Sequence, residues 1–428
     1  MKTINIALLG FGTVARGAFD LLTGNKKEIT NRTDVDITIS KIYVRDPKKH
    51  EDKTLPVGTQ FVTDVADIMM DDSIDIVVEL MGGTTFAKEC VEAALKAKKN
   101  VVTANKDLMA EAGPYLFDLA GKNGVDLRFE AAVLGAIPII RTMYDSLGGN
   151  KIYEIVGIMN GTTNFILSKM TEDDAGYQEV LKEAQDLGYA EADPTADVEG
   201  YDAARKLAIL GSIAFNRRLF FEDVNCEGIS KIDKIDIKCG KNMGYVIKLL
   251  GIARESRKGV SLNVYPAFIP FEHPLASVRG SYNAVYIRGN GFDDVMLYGR
   301  GAGSLPTGSS VVADIMEEAI NVARHNTGRR IQFYYDQKEI YAPGKIESSY
   351  YMRLVVENKM GVLAKVAEKF AEQRISVLNV VQQMENPETA TLVITTSKCP
   401  GAYISNVIES FNHLRSVKSV ASVIRIMD

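Results

Sequence analysis

The chain holds 428 residues, 46% of them apolar and 25% charged, with a formal net charge of −5. Roughly two to three soluble globular domains are expected from that length and composition, not a disordered or fibrous chain. The balance of 50 Lys and Arg against 55 Asp and Glu offers no basic face to nucleic acid. No apolar run approaches the ~20 residues of a bilayer span. The start, MKTINIALLG, lacks the h-region and cleavage pattern of a secretory signal. A cytoplasmic protein without membrane or nucleic-acid partners is the expectation. Cys90, Cys226, Cys239 and Cys399 are scattered, with no CxxC spacing, and the four histidines are equally dispersed. Neither a disulfide framework nor a structural zinc site is expected.

In chain order, short apolar runs at Ile4–Leu9, Ile37–Val44, Ile76–Leu80, Val101–Ala104 and Val125–Glu130 read as strands. Segments such as Lys88–Lys98, with apolar positions at helical spacing, separate them. This alternation predicts βαβ units and a parallel sheet over residues 1–150. From 151 to 300 long helical stretches (Tyr177–Leu187, Ala203–Phe215) join strand-like runs (Tyr153–Ile158, Asn283–Arg288), the pattern of a second, α+β domain. Gly299–Ile315 is glycine-rich and then helical, and is expected to return to the first domain and complete it over about 300–335. Residues 336–348 read as a polar linker. In the last segment, 349–428, Tyr351–Val356, Ile375–Val381, Thr391–Thr395 and Val417–Ile426 read as strands. The Leu363, Val366, Ala367, Phe370 spacing and Ala402–Leu414 read as helices. The resulting βαββαβ order is the ferredoxin-like unit. The fold class is therefore α/β, with a Rossmann-type domain, an α+β domain and a ferredoxin-like module.

GFGTVA at Gly10–Ala15 follows the first strand and opens a helix. Gly10 permits the tight turn and Gly12 the close approach of backbone amides to a pyrophosphate, which the helix N-terminus favours. The alternative is simply a tight βα turn. The second strand ends in VRDPKK, so Arg45, with Lys48 and Lys49 nearby, stands where an NAD site usually carries an acid. A cation there suits the 2′-phosphate of NADP, and a solvated basic turn is the plainer reading. Lys106, in VVTANKDLMA, sits just past the carboxyl end of an apolar strand, where ligands of open α/β sheets lie. The stretch Leu187–Leu210 packs Glu191, Asp193, Asp197, Glu199 and Asp202 beside Arg205 and Lys206. Asp202 and Lys206 share a helix face. Taken alone, such a pair is most often an exposed ion pair worth ~0.3–0.5 kcal/mol.

The wording of that stretch, G-Y-x-E-A-D-P-x-x-D-x-x-G-x-D-A-x-x-K, resembles the signature of homoserine dehydrogenases. VTANK (Val102–Lys106), FEAAVLGAIPII (Phe129–Ile140), GIMNGTTNFIL (Gly157–Leu167) and GRGAGSLPTGSSVVADI (Gly299–Ile315) resemble the same family in the same order. Ala136 stands where family members often have glycine, with Leu134 nearby. The resemblance implies hydride transfer between L-aspartate 4-semialdehyde and L-homoserine, on the route to threonine and methionine, with NADPH, or alternatively NADH. It implies Lys206 as proton donor and Lys106 as its partner. Gly188, Glu191 and Asp202 are implied as substrate contacts, and Phe11, Thr13, Val14, Arg45 and Lys106 as cofactor contacts. Gly303 falls in the segment that closes over the cofactor. A sodium site is implied at Glu130, Val133, Gly135 and Ile137, although a Gly/Ala-rich turn entering a helix needs no ion. The middle domain is implied to serve catalysis and dimerisation, in a homodimer or homotetramer. The last segment resembles an ACT regulatory domain for an amino-acid effector, with Met360 where proline is common and Gly361 at the turn. A non-catalytic regulator sensing NADPH and amino acids on the same scaffold is the rival reading.

Overall fold

The computed structural model describes residues 1–328 and 339–427. The chain divides into two compact units, Met1–Tyr153, Arg205–Phe221 and Asn283–Gln337 in the first, and Glu154–Ala204, Glu222–Tyr282 and Lys338–Asp428 in the second.

In the first unit six strands, β1 (Lys2–Leu9), β2 (Val35–Tyr43), β3 (Gln60–Val62), β4 (Ile76–Glu79), β5 (Asn100–Thr103) and β6 (Leu127–Arg128), form one sheet. Its order is β3-β2-β1-β4-β5-β6 and every pair is parallel. β4 and β5 are buried throughout and β1 from Ile6 onward. Their near-continuous apolar runs are what a sheet covered on both faces demands. The order reverses between β1 and β4, so the crevice at their carboxyl ends is the natural ligand position. The expected strands lie where the apolar runs placed them, except that Val125–Glu130 gives only two strand residues before a 3-10 turn at Glu130–Ala132. The three-residue β3 carries too little pattern to be seen in the sequence.

The Ser304–Ala323 helix packs against the Thr13–Gly24 helix, and its Val311, Val312, Ile315 and Ala319 join the core beneath β1 and β2. Glycines make the crossing possible. A Cβ on Gly17 would sit 2.1 Å from the Ser304 carbonyl oxygen, and one on Gly308 2.6 Å from the Ala18 amide. The same helix brings Glu318 to Arg128 (Nε–Oε2 2.6 Å), both buried. Burial, aided by Asp126, outweighs Arg128 and pushes the Glu318 carboxyl up to about 8; burial and Asp314 push Glu130 up to about 7. Both carboxyls hold their proton more tightly folded than unfolded. The folded state therefore carries more protons between the ordinary carboxylate range and about pH 8, and stability falls as pH rises through that window. Glu318→Gln, which keeps an acceptor for Arg128, is expected to flatten the decline of Tm between about pH 5 and 9. An unchanged slope would remove Glu318 from the effect.

The second unit contains most of β7 (Ile152–Ile158), then β8 (Asn225–Cys226) and the long antiparallel hairpin of β9 (Tyr245–Ser256) and β10 (Gly259–Pro270). β11 (Tyr282–Gly289) and β12 (Asp293–Arg300) follow, belonging to the first unit from Asn283 on. The last segment folds as β13 (Glu347–Glu357), a helix at Val362–Glu372, β14 (Val377–Met384), β15 (Thr389–Thr396), the short β16 (Cys399–Pro400), a helix at Gly401–Phe411 and β17 (Val417–Ile426). Its four main strands run in the order β17-β13-β15-β14, all antiparallel, over a core that includes Met352, Leu354, Val366, Phe370 and Phe411.

This module is joined to the rest of its unit, not tethered. β17 pairs parallel with β10 (Ala267↔Arg425, Phe268↔Ile426), so the sheet continues from β7 and β9 through β10 into the module. Of the expected linker 336–348, residues 336–338 lie outside the described residues. Ile340 bridges Val260 on β10 and β13 begins at Glu347. Asp236, fully buried on the Lys234–Asn242 helix, takes two hydrogen bonds from Arg353 (2.6 and 2.9 Å) and one from the Tyr351 hydroxyl (2.8 Å). The four cysteines are free, and among the described residues no helix is long and apolar enough to cross a membrane.

Candidate active site

At the carboxyl end of β1 the chain turns through Gly10, whose φ is +94° and whose Cβ would meet Met81 Cγ at 3.0 Å and the Leu80 carbonyl oxygen at 3.2 Å. Only glycine accepts both conditions. Gly12 caps the Thr13–Gly24 helix, with open space where a Cβ would stand, so a ligand can lie against its backbone. A cavity of about 760 Å³ opens here, lined by Gly10, Gly12, Arg45, Lys49, Met81 and Gly82 among others. That volume suits a nucleotide. Thr13 is exposed and Val14 half-buried. Phe11 is only 3% exposed. Its ring packs edge-on against Phe19, His50 and Phe61, so it offers a ligand its backbone more than its ring. Arg45 is exposed beyond the end of β2. Arg16 fixes the following loop through His50 (3.0 Å) and Asp52. Gly303, at φ +124°, caps the Ser304–Ala323 helix, and the Ser304 hydroxyl bonds the Thr13 carbonyl oxygen at 2.7 Å. The segment carrying Gly303 therefore abuts the glycine turn.

Lys106 opens the helix Lys106–Asn123, which is capped by Asn105. Lys206 lies on the helix Tyr201–Phe215, which passes from the second unit to the first after Ala204. Both lysines thus belong to the first unit. Their chain neighbours are an ion pair, Arg205 Nε to Asp107 Oδ1 at 3.5 Å. Lys206 is 9% exposed and Asp202, one turn earlier, 8%. An exposed helix pair is not what these residues form. A buried lysine and a buried carboxylate need partners.

In the second unit one side chain organises the acids. Asn160 donates to Asp202 Oδ2 (2.9 Å) and Asp197 Oδ1 (2.7 Å), while its own carbonyl accepts from the Thr163 amide and hydroxyl. It caps the Gly161–Asp173 helix at the same time. Thr162 ties the Tyr189 carbonyl oxygen at 2.6 Å, and Gly200, at φ +83°, leaves no room for a Cβ beside Val264 and Cys226. Asp193 is an exposed local cap, held below its ordinary pKa by the Thr195 hydroxyl and amide. Gly188 (φ +75°) and Glu191 are exposed on the loop after the Tyr177–Asp186 helix.

The turn Glu130–Ile137 carries the four positions of the implied sodium site. Leu134 (φ +61°) and Gly135 (φ +52°) are its left-handed residues, while Ala136 is not. The alanine therefore imposes no strain there, and the strain falls on Leu134. A Cβ at Gly135 would meet Gly301 at 2.7 Å. The Glu130 carboxylate is committed to the amides of Ile140 (2.9 Å) and Arg141 (2.7 Å), and the Gly135 carbonyl accepts from Ser310 (2.6 Å). Among the described residues no three His, Cys, Asp or Glu side chains converge as a metal site.

Sequence reasoning missed Asn160, Thr162 and Asn164, although GIMNGTTNFIL was in view. Asn164 holds the carbonyls of Gly280 (2.9 Å) and Tyr282 (3.0 Å) and accepts from the buried Lys248 (3.0 Å), whose ammonium burial pushes down to about 8. Their signal was the stretch Asn160–Asn164, two amides and two hydroxyls around Gly161 at the start of a helix, the position of caps. Glu79 was missed too: a lone acid ending an apolar strand.

A dinucleotide crevice of this topology, with a lysine opening the helix after its next-but-one strand, belongs to the class of NAD(P)-binding dehydrogenases. Comparison with known proteins narrows the class. Residues 10–130 match the family model for the homoserine dehydrogenase NAD binding domain, and residues 138–316 match the model for homoserine dehydrogenase itself. The homoserine dehydrogenase of Bacillus subtilis is 40% identical over 428 residues, covering 100% of this chain and 99% of that one. That of Corynebacterium glutamicum is 42% identical over 431 residues, covering 99% and 96%. Among solved structures, the homoserine dehydrogenase of Thiobacillus denitrificans matches with a TM-score of 0.94 at 39% identity, covering 100% and 98%. A hyperthermophilic archaeal homoserine dehydrogenase in complex with NADPH matches with a TM-score of 0.63 at 26% identity, covering 74% of this chain and 98% of that one. The chain belongs to the homoserine dehydrogenase family.

Proposed function

We propose that this protein is an NADPH-dependent homoserine dehydrogenase of the cytoplasm, interconverting L-aspartate 4-semialdehyde and L-homoserine for threonine and methionine synthesis. The likeness to family members along the whole chain carries the reading. In the reducing direction, hydride reaches the aldehyde carbon from the nicotinamide, and the oxygen gains an electron pair. Lys206 gives that oxygen a proton and Lys106 supports its negative charge. Glu191 and Asp202 take the substrate ammonium, Asp202 being held for this by Asn160, and Gly188 gives the loop its turn. Gly10, Phe11, Gly12, Thr13, Val14 and Gly303 hold the dinucleotide largely by backbone. Homoserine-dependent reduction of NADP, followed beside NAD by absorbance, tests the activity. No turnover with either would refute it.

Arg45 reads the 2′-phosphate. Arg45→Ala is expected to weaken NADPH binding roughly tenfold to hundredfold, the loss of one charge-assisted contact of about 1.5–3 kcal/mol, and to leave NADH nearly unchanged. Equal losses for both cofactors would end that assignment.

A sodium ion suits the Glu130 turn. Glu130 would be its one acid, since each carboxylate oxygen accepts only one of the Ile140 and Arg141 amides and keeps a lone pair, with backbone carbonyls completing the site at Val133, Gly135 and Ile137. Carbonyl oxygens suit a hard cation, and the Gly135 oxygen retains a second lone pair beside Ser310. Such an ion would brace the turn that meets Gly301.

The module from Glu347 on is an ACT domain, supported by its β17-β13-β15-β14 order. Its edge strand β14 leaves Leu378, Val380, Val381 and Met384 exposed. An unpaired apolar edge invites pairing with a second copy, as a homodimer or homotetramer requires. Gly361, at φ +81° before the Val362–Glu372 helix, lets an amino-acid effector approach the backbone. The same assay with threonine, methionine and isoleucine added tests regulation.

A further inference from the structure

β4 reads Ile-Val-Val-Glu, and its last residue breaks an otherwise apolar run. Glu79 is 0% exposed. An ionisable group is carried to that depth only when it is well bonded. Three donors converge on it. The amides of Met81 (2.8 Å) and Gly82 (3.1 Å) meet Oε1, and the Thr103 hydroxyl meets Oε2 at 2.6 Å. Thr103 ends β5 in register with Glu79. Its oxygen accepts the amide of Asn105 at 3.0 Å. Asn105 in turn caps the Lys106 helix through Leu108 N (3.0 Å) and donates its amide to the Gly83 carbonyl oxygen (2.7 Å). The bonds close a ring: Glu79 to the loop 81–83, that loop to Asn105, Asn105 to Thr103, and Thr103 back to Glu79.

The two arms of the ring carry different parts of the site. Leu80, Met81 and Gly82 line the dinucleotide cavity. Gly82 and Gly83 both stand at φ +77°, a shape with no Cβ to hold it, so the ring's bonds set the loop. The other arm ends at Lys106. The direction of each bond is also fixed. A threonine hydroxyl has one proton, which goes to Glu79, so its lone pair is what receives Asn105. A glutamine at 79 would turn an amide N–H toward that same oxygen and leave the hydroxyl proton without an acceptor.

We infer that Glu79 is a positioning residue that, through Thr103 and Asn105, fixes Lys106 relative to the cofactor loop, so that cofactor binding and the placement of the lysine are set by one buried carboxylate. The inference rests on the reading of Lys106 as a residue of the reaction. In the full-length enzyme, Thr103→Val removes the hydroxyl at nearly constant volume. It is expected to lower kcat about tenfold or more and to weaken NADPH binding severalfold, the range for breaking a buried hydrogen-bonded relay. Thr103→Ser restores both. Glu79→Gln reproduces the valine variant, and the Glu79→Gln/Thr103→Val double variant is no worse than either single one, because both cut the same ring. NADPH binding is followed by fluorescence, turnover by the spectrophotometric assay and folding by Tm. Normal kcat and NADPH affinity in Thr103→Val would overturn the inference, as would losses that serine fails to restore, since those would reflect packing. Lys106→Ala run alongside separates the two readings. Normal turnover there would overturn the role of Lys106 and this inference with it. Reduced turnover there beside normal turnover in Thr103→Val would overturn this inference alone.

Discussion

Asp236→Ala is expected to destabilise the chain by about 3–5 kcal/mol, the cost of breaking a buried ion pair by removing one partner. Asp236 has no exposed surface, and Arg353 is 7% exposed. The carboxylate takes both fork nitrogens of the guanidinium and the Tyr351 hydroxyl besides. It holds the Arg353 guanidinium above its ordinary pKa, and burial, then Asp236, holds the Tyr351 hydroxyl above its own. Alanine leaves a buried cation and a buried hydroxyl without their acceptor. The Asp236→Ala/Arg353→Met double variant is expected to recover much of the loss, because an apolar group then replaces the charge. Urea unfolding of the full chain measures both. A single-variant cost under about 1 kcal/mol would mean that the pair behaves as an exposed one. The pair also bears on modularity. A catalytic core ending near residue 335 looks self-sufficient from the sequence. In the structure such a chain would lose the β17 partner of β10, the Met427 amide on the Phe268 carbonyl oxygen (2.8 Å), and the cover over Asp236.

Polarity in a sequence does not show whether a segment is detached. Residues 339–348 are polar and include Pro343 and Gly344, yet the backbone of Glu339 and Tyr341 bonds to Val260 on both sides. Backbone hydrogen bonds leave no mark on composition. The elements that were legible are those whose side chains repeat. β17 is bounded at Val417–Ile426 as the apolar run predicts, and the Tyr177–Asp186 helix ends one residue before its expected limit. The β9–β10 hairpin was not anticipated. Both strands are buried over most of their length, so neither shows alternation, and lysine at 248 interrupts the first. A buried strand and a buried helix segment look alike by periodicity.

In the candidate site, the Gly10 turn was legible because its chemistry is local, and the structure has it at φ +94°. Gly12 and Arg45 line the same cavity, and their roles toward a ligand stay proposals. The acids of Glu191–Asp202 could not be sorted by spacing. Asp193 caps its own turn through Thr195, whereas Asp197 and Asp202 share the amide of Asn160, thirty-seven and forty-two residues away in the chain. Only the fold brings that amide to them. The Glu79 ring was hidden for the same reason, since Thr103 meets Glu79 only across β4 and β5.

Lys206→Ala is expected to lower kcat by roughly 10²–10⁴, the usual share of general acid–base catalysis, with NADPH affinity nearly unchanged. The burial of Lys206 and Asp202 already argues against the bland forecast, in which an exposed helix pair contributes under ~1 kcal/mol and its loss leaves turnover intact. Burial by itself, though, also suits a structural lysine, so the kinetic split decides. A structural lysine would lower Tm and weaken both substrate and cofactor binding together. Loss of a proton donor leaves NADPH binding in place, since on the proposed reading the dinucleotide is held at the cavity lined by Gly10, Gly12 and Arg45, and it removes only what the transition state needs. Lys206→Arg sharpens the distinction. Arginine keeps the charge but cannot give up its proton near neutral pH, so it should bind substrate and still turn over slowly. Steady-state kinetics, with NADPH affinity measured separately by fluorescence, read all of these. Near-normal kcat in Lys206→Ala would take Lys206 out of the mechanism and leave Lys106, beside the Asp107–Arg205 pair, as the donor.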